Sequence, residues 1–285
     1  MEREATLREA LVSHLQRTGA LHFSGTAAAM RTVARHRFIP EASLDDAYAD
    51  RAIAIKMRGD EIVSSISQPG MIAQMLELLD PAPGDRVLEI GTGSGYNAAL
   101  LAEIVGANGS VTTIDLDSEL AESARALLFD IGYQNVEVVA ADGVGELVER
   151  GYYDRIIVTA RADDIAQAWW RGLHEGARLV VPLRLEGAGE YAIGFVRRKN
   201  QLASVGAYPC AFIALRGDVS EPALSDVFYR DPAQRWSPAC VRQVDTVIAV
   251  RSNDATPALL DDADVVIARP VTIFAVTFDR SSKTP

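Results

Sequence analysis

The run Arg86-Val-Leu-Glu-Ile-Gly-Thr-Gly-Ser-Gly-Tyr-Asn97 joins a short apolar strand to three closely spaced glycines and then to helix-forming residues. Glycine lets the backbone turn tightly and lets a ligand lie against bare peptide, and the helix start beyond it offers N–H groups without partners. The chemistry implied is nucleotide binding. The dinucleotide fingerprint is G-x-G-x-x-G, whereas Gly91, Gly93 and Gly95 read G-x-G-x-G, with Thr92 between the first two and Glu89 two residues ahead. A carboxylate at 89 suits a cationic or hydroxyl-rich ligand better than a pyrophosphate. Glycine spacing alone also fits an ordinary strand–turn–helix corner, so the surrounding elements have to decide.

Those elements alternate. Short β-branched runs at 86–90, 110–114, 135–139, 154–159 and 177–183 are separated by helical stretches at 94–105, 117–131, 142–150 and 164–173. This spacing predicts an α/β fold, a doubly wound and mostly parallel sheet covered on both faces. In such sheets the ligand sits beyond the carboxyl ends of the strands. After the second strand comes Asp115, placed to accept both hydroxyls of a ribose. After the third comes Ala141-Asp142-Gly143, where the carboxylate either accepts from the exocyclic amine of an adenine or caps a helix. After the fourth comes Thr159-Ala160-Arg161. Acids at 89, 115 and 142, with no Lys or Arg in the glycine loop, favour S-adenosyl-L-methionine over NAD or ATP. A sulfonium cation tolerates carboxylates and needs no phosphate cradle.

The chain has 285 residues, 48% of them hydrophobic and 24% charged, enough for one generous domain with an appendage. The net charge of −11 argues against nucleic acid as the main partner. No apolar run approaches a membrane span, and no secretory signal opens the chain, so a cytoplasmic protein is expected. Cys210 and Cys240 are expected as free thiols, and the scattered histidines give no metal site. Residues 4–36 read as two helices that include a basic Arg31–Arg37 run. Residues 41–70 read as mostly irregular, and a helix is expected over 71–79. The runs 191–197 and 202–215 suggest a hairpin at the sheet edge, and 244–250 and 265–278 suggest later strands. The expected organisation is an N-terminal helical and substrate-loop region over 1–80, a cofactor-binding domain over 81–217, and an extension over 218–285.

Several motifs together resemble the protein-L-isoaspartate O-methyltransferase family: Tyr48-Ala-Asp-Arg51, Ile66-Ser-Gln-Pro69, Val87 through Tyr96, Ala140-Ala-Asp-Gly143 and Tyr153-Asp-Arg-Ile-Ile-Val-Thr-Ala160. The resemblance spans about residues 28–216. It implies an S-adenosylmethionine-dependent enzyme of the corresponding fold acting on a peptide or protein that bears an aspartyl or isoaspartyl carboxylate. Ser67 matches the active-site serine, although a serine before Gln-Pro can also simply cap the next helix. On the donor side the implied contacts are Ser65, Glu89, Gly91, Thr92, Gly93, Gly95, Asp115, Leu116, Asp142 and Gly143. On the acceptor side they are Ser64, Ile66, Gln68, Arg161 and Arg216. A carboxylate nucleophile is already ionised at neutral pH and needs aim more than a base.

Two departures stand out. The approach to Ile66-Ser-Gln-Pro69 carries an inserted, charged stretch from Ala54 to Ser65, and the family's Val-Pro-Leu followed by a hydroxyl residue appears as Ile213-Ala214-Leu215-Arg216. With Asn97-Ala-Ala-Leu-Leu, Thr112-Thr-Ile-Asp115, Ala168-Trp169-Trp170 and the added residues 218–285, these are similar to a branch associated with ribosomally made, modified peptides. There an encoded aspartate is methylated and closes to an aspartimide. That branch is the favoured expectation, with Lys56, Arg58, Arg161 and Arg216 as candidate contacts to acidic peptide groups. Isoaspartyl repair is the alternative, and a non-catalytic nucleotide-binding scaffold is the alternative of another class.

Overall fold

The computed structural model describes residues 2–145, 148, 152–185, 189–199 and 201–217, together with the backbone of four short strands between 228 and 277. The predicted α/β core is present. Strands β3 (Arg86–Ile90), β4 (Ser110–Asp115), β5 (Val136–Ala140), β6 (Tyr153–Val158) and β7 (Leu173–Leu185) form the parallel part of one sheet. The chain runs β3, β4, β5 to one side and then returns to place β6 on the other side of β3. The reversal makes β3 the switch point, where a crevice opens at the carboxyl ends. Helices α5 (Tyr96–Val105) and α6 (Ser118–Asp130) follow β3 and β4, and the short α7 (Gln167–Gly172) precedes β7.

The other half of the sheet is antiparallel. β8 (Gly189–Arg198) and β9 (Gln201–Pro209) form the expected edge hairpin, with Lys199 at positive φ in its turn. Expected to run to 215, β9 instead ends at Pro209, whose ring leaves no N–H for a ladder, and 210–216 leaves the sheet to border the crevice. The strands β12 (Val247–Arg251) and β13 (Thr272–Thr277) extend this edge, and β10 (Phe228–Arg230) pairs with β11 (Trp236–Pro238). The rest of the expected 218–285 extension lies outside the described residues.

The two expected N-terminal helices are α1 (Glu2–Thr18) and α2 (Ser24–Thr32), and α4 (Pro69–Leu79) begins at the proline. A short α3 (Leu44–Ala47) is capped by the Ser43 hydroxyl. Residues 41–70 correct the expectation of irregular chain, because β1 (Ile53–Arg58) and β2 (Glu61–Ile66) make an antiparallel hairpin. Gly59 and Asp60 form its two-residue turn, with Gly59 at φ +60 supplying the left-handed position such turns need. The apolar residues Ile53, Ile55 and Met57 do alternate with Ala54, Lys56 and Arg58. The charged partners at Lys56, Arg58 and Glu61 obscured a strand pattern that was there.

Candidate active site

The glycine turn is built so that little but glycine fits. Gly91 (φ +100), Gly93 (φ +52) and Gly95 (φ +85) all lie in the left-handed region, and a Cβ on Gly91 would stand 2.3 Å from Thr159 Oγ1. Thr159 at the end of β6 donates its hydroxyl to the Gly91 carbonyl at 2.7 Å, so the neighbouring strand fixes the first bend. Gly95 caps α5 through its backbone alone and packs on Leu128 of α6.

Behind the turn lies a buried polar network. Glu89 is fully buried; Asn97 Nδ2 donates to its Oε1 at 2.8 Å and Thr113 Oγ1 to its Oε2 at 2.6 Å. Thr113 is in turn within 2.8 Å of the Thr92 hydroxyl. Loss of solvent outweighs those bonds and lifts the Glu89 carboxyl to about 7. Asp115 accepts from the backbone N–H of Gly93 and of Asp117, each at 2.9 Å, and burial also raises its pKa. Its carboxylate braces the glycine turn while keeping lone pairs for a ligand.

Opposite the turn lies the loop Ser64-Ser-Ile-Ser-Gln68, the end of β2 running into α4. These residues, the turn, Asp115, Leu116, Gly143 and the segment 209–216 line one cavity of about 350 Å³. The Ser67 hydroxyl makes no hydrogen bond among the described residues, while its carbonyl accepts from Arg35 Nη2 at 2.9 Å. Ile66 is buried in the core beneath the loop. Gln68 gives its side-chain amide to Asp50 at 3.1 Å.

Two expected residues sit elsewhere. Asp142 is not on the cavity wall; its Oδ1 accepts from Val144 N–H at 3.0 Å and its carboxylate lies against Gly217. The bond to Val144 lies within the residue's own turn, and Gly143 is the wall residue. Arg161 is also off the wall. Its guanidinium pairs with Glu190 at 3.1 Å, while its backbone N–H and carbonyl bond Ile213 and Leu215. That pairing places Arg216 on the wall, where it makes no ion pair among the described residues and donates to the Val63 carbonyl at 3.3 Å. Lys56 is spent as well, on Asp117 at 2.6 Å and Glu119 at 2.7 Å, tying the hairpin to the start of α6.

The profile of the Protein-L-isoaspartate(D-aspartate) O-methyltransferase family matches residues 6–220. The chain belongs to that family. A protein-L-isoaspartate O-methyltransferase from Methanopyrus kandleri is 39% identical over 218 residues, covering 74% of this chain and 92% of the relative. One from Archaeoglobus fulgidus is 46% identical over 155 residues, 54% of this chain and 68% of the relative. Among solved structures, a protein-L-isoaspartate O-methyltransferase superposes with a TM-score of 0.68 at 31% identity over 74% of this chain and 67% of that one. A Plasmodium falciparum structure of the same description, in complex with S-adenosyl-L-homocysteine, has a TM-score of 0.64 at 22% identity over 73% and 98%, a likeness of fold.

Isoaspartate methyltransferases depend on S-adenosylmethionine, and this member of the family is such an enzyme. Its residues fit the cofactor. The Gly91 position excludes a Cβ, and Asp115 on the cavity wall keeps lone pairs beside its two backbone N–H bonds, acceptors suited to hydroxyl donors. Sequence reasoning quotes Asn97, Thr113 and Trp169 only within motifs and gives them no role, although the Trp169 indole N–H holds the Gly143 carbonyl at 2.8 Å. It read Arg35 as part of a basic run and quoted Asp50 only within a motif. A buried partner many residues away leaves no local signal.

Proposed function

We propose that this isoaspartate methyltransferase family member esterifies the free carboxylate of an isoaspartyl or aspartyl residue in a peptide or protein. The observation that carries this reading is the makeup of the cavity: a serine hydroxyl with no hydrogen bond among the described residues shares it with the glycine turn, and no histidine is among its lining residues. An alcohol or amine acceptor would need a base there. Glu89 is enclosed by Asn97 and Thr113, and burial pushes the Cys210 thiol up to about 12, so neither serves as one.

When bound, S-adenosylmethionine supplies a methyl group on a positively charged sulfur. Glu89, Asp115 and the Gly91–Gly95 turn would hold it. Ser67 donates to one oxygen of the acceptor carboxylate and leaves the other oxygen facing the donor. No proton has to move, because the acceptor carboxylate, with an ordinary pKa near 4, is already ionised. Orientation in a water-poor cavity provides the acceleration. Esterification replaces an oxide that cannot leave with a methoxide that can, so the following backbone nitrogen can attack the ester carbonyl, lose its proton and expel methanol to close a succinimide.

A narrower reading is favoured by one feature, Arg216 on the wall where the family carries a hydroxyl residue. It holds that the acceptor is an encoded aspartate in a ribosomally made, constrained peptide, with the ester closing to an aspartimide. The regions 1–80, 81–217 and 218–285 would then divide into acceptor loop, donor domain and peptide recognition. Mass spectrometry of an isoaspartyl test peptide and of a macrocyclic precursor peptide separates the readings. Gain of a methyl group on the test peptide supports repair-type methylation. Methyl gain followed by net loss of water from the precursor alone supports the narrower reading, and methylation of neither contradicts both.

A further inference from the structure

The loop that presents Ser67 is gripped from two sides. On one side is Arg35, completely buried, whose Nε donates to the Ala47 carbonyl at 3.0 Å and whose Nη2 donates to the Ser67 carbonyl at 2.9 Å. On the other is Asp50. Its Oδ1 accepts the Gly70 N–H at 2.7 Å and its Oδ2 accepts the Gln68 amide at 3.1 Å. A Cβ on Gly70 would come within 3.0 Å of Asp50 Oδ2, so that approach depends on glycine. The chain from the Ser67 carbonyl to the Gly70 N–H is thus pinned by opposite charges 18 to 32 residues earlier in the sequence.

Arg35 does something further. Its guanidinium carbon lies 4.9 Å from the centre of the Tyr96 ring, and Tyr96 is the first residue of α5, directly after Gly95. One side chain therefore touches both the acceptor loop and the helix that closes the donor turn. Burying a guanidinium is unfavourable, and its Nη1 finds no hydrogen-bond partner among the described residues. Tethering the Ala47 carbonyl alone would not call for a charged fork. A planar group that bonds two carbonyls and stacks on an aromatic ring fixes three elements at once, which an ammonium cannot do.

We propose that Arg35 and Asp50 are a positioning pair that sets the Ser67 hydroxyl at its working distance from the glycine turn. The inference rests on the reading of Ser67 as the group that holds the acceptor carboxylate. A double-mutant cycle on the full chain tests it, measuring methyl transfer to an isoaspartyl peptide and S-adenosylmethionine affinity by calorimetry. Arg35→Lys is expected to lower kcat by roughly tenfold to a hundredfold, the scale of a small misplacement of reacting groups. Cofactor affinity should stay within about twofold. In a Ser67→Ala background the same substitution should change transfer by less than about twofold, because the group it positions is gone. An equal loss in both backgrounds overturns the positioning role and leaves Ser67 in place. Wild-type rates in Ser67→Ala alone overturn the reading beneath it. Should Arg35→Lys fail to fold, Asp50→Asn replaces it in the cycle with a smaller loss, and additivity there overturns the inference equally.

Discussion

The turn that binds the donor and the loop that faces it across the cavity are built by different means. The glycine turn is made by backbone and by next-door strands: left-handed glycines, Thr159 against Gly91, and Asp115 against Gly93. The Ser64–Gln68 loop is paired with β1 only as far as Ile66. It is held by Arg35, Asp50 and, through the hairpin, by Lys56 on Asp117. The glycines themselves lie in one contiguous stretch, although their braces Thr159 and Asp115 lie 68 and 22 residues away. The facing loop is fixed instead by the charged side chains of Arg35 and Asp50, whose hydrogen bonds touch neither Gly91 nor Gly93.

This difference predicts that the two halves fail separately. The largest effect belongs to the donor turn. Gly91→Ala forces a Cβ against Thr159 Oγ1 at a φ that L residues avoid, strain of roughly 1–3 kcal/mol before any clash. Cofactor binding should fall by about a hundredfold or more in calorimetry, and retained affinity would show the turn to be softer than described. Next comes Ser67→Ala, which should slow transfer by roughly a hundredfold while cofactor affinity stays within about twofold. A parallel loss of affinity would mean that the halves are not separable.

How far each half was legible from the sequence follows the same line. The strand–glycine–helix run, Asp115 and the alternation behind them gave the α/β fold and the donor side, because a turn of this kind is written in adjacent residues. Ser67 was legible only by resemblance. Asp142 at a strand end is expected as a ligand contact or a cap; its Oδ1 accepts from Val144 N–H within its own turn, and residue type does not distinguish the two roles. Arg161 and Lys56, expected as contacts to acidic peptide groups, pair with Glu190 and Asp117, which lie 29 and 61 residues away and leave no local signal. The 53–66 hairpin was hidden by charges on its exposed face, even though its alternation and its Gly59-Asp60 turn were present.

Smaller effects sharpen the contrast. Arg216→Ala should raise KM for an acidic peptide by about tenfold with kcat little changed, the mark of a group that binds without taking part in transfer. An unchanged KM would remove Arg216 from the acceptor side. For pH, Glu89 releases its proton near 7 in the fold against an ordinary 4.5. Between those values the folded chain holds a proton that the unfolded chain has lost, so stability should fall as pH rises through that window. Asp115, also raised by burial, acts in the same direction. Chemical denaturation from pH 4.5 to 7 should show a shallower slope in Glu89→Gln, and an identical slope would contradict the burial of Glu89. The smallest change is expected of Lys56→Met, a rise of a few-fold in the cofactor off-rate by stopped flow and a loss of its salt dependence.

The central claim is a methyl group passed from the glycine turn to a carboxylate held by Ser67. It is tested most directly with methyl-labelled S-adenosylmethionine and an isoaspartyl peptide, by following label that becomes volatile as methanol at alkaline pH. The structure predicts base-labile label on the peptide with the wild-type chain and roughly a hundredfold less with Ser67→Ala. Tight cofactor binding without base-labile label on any aspartyl or isoaspartyl peptide would contradict it.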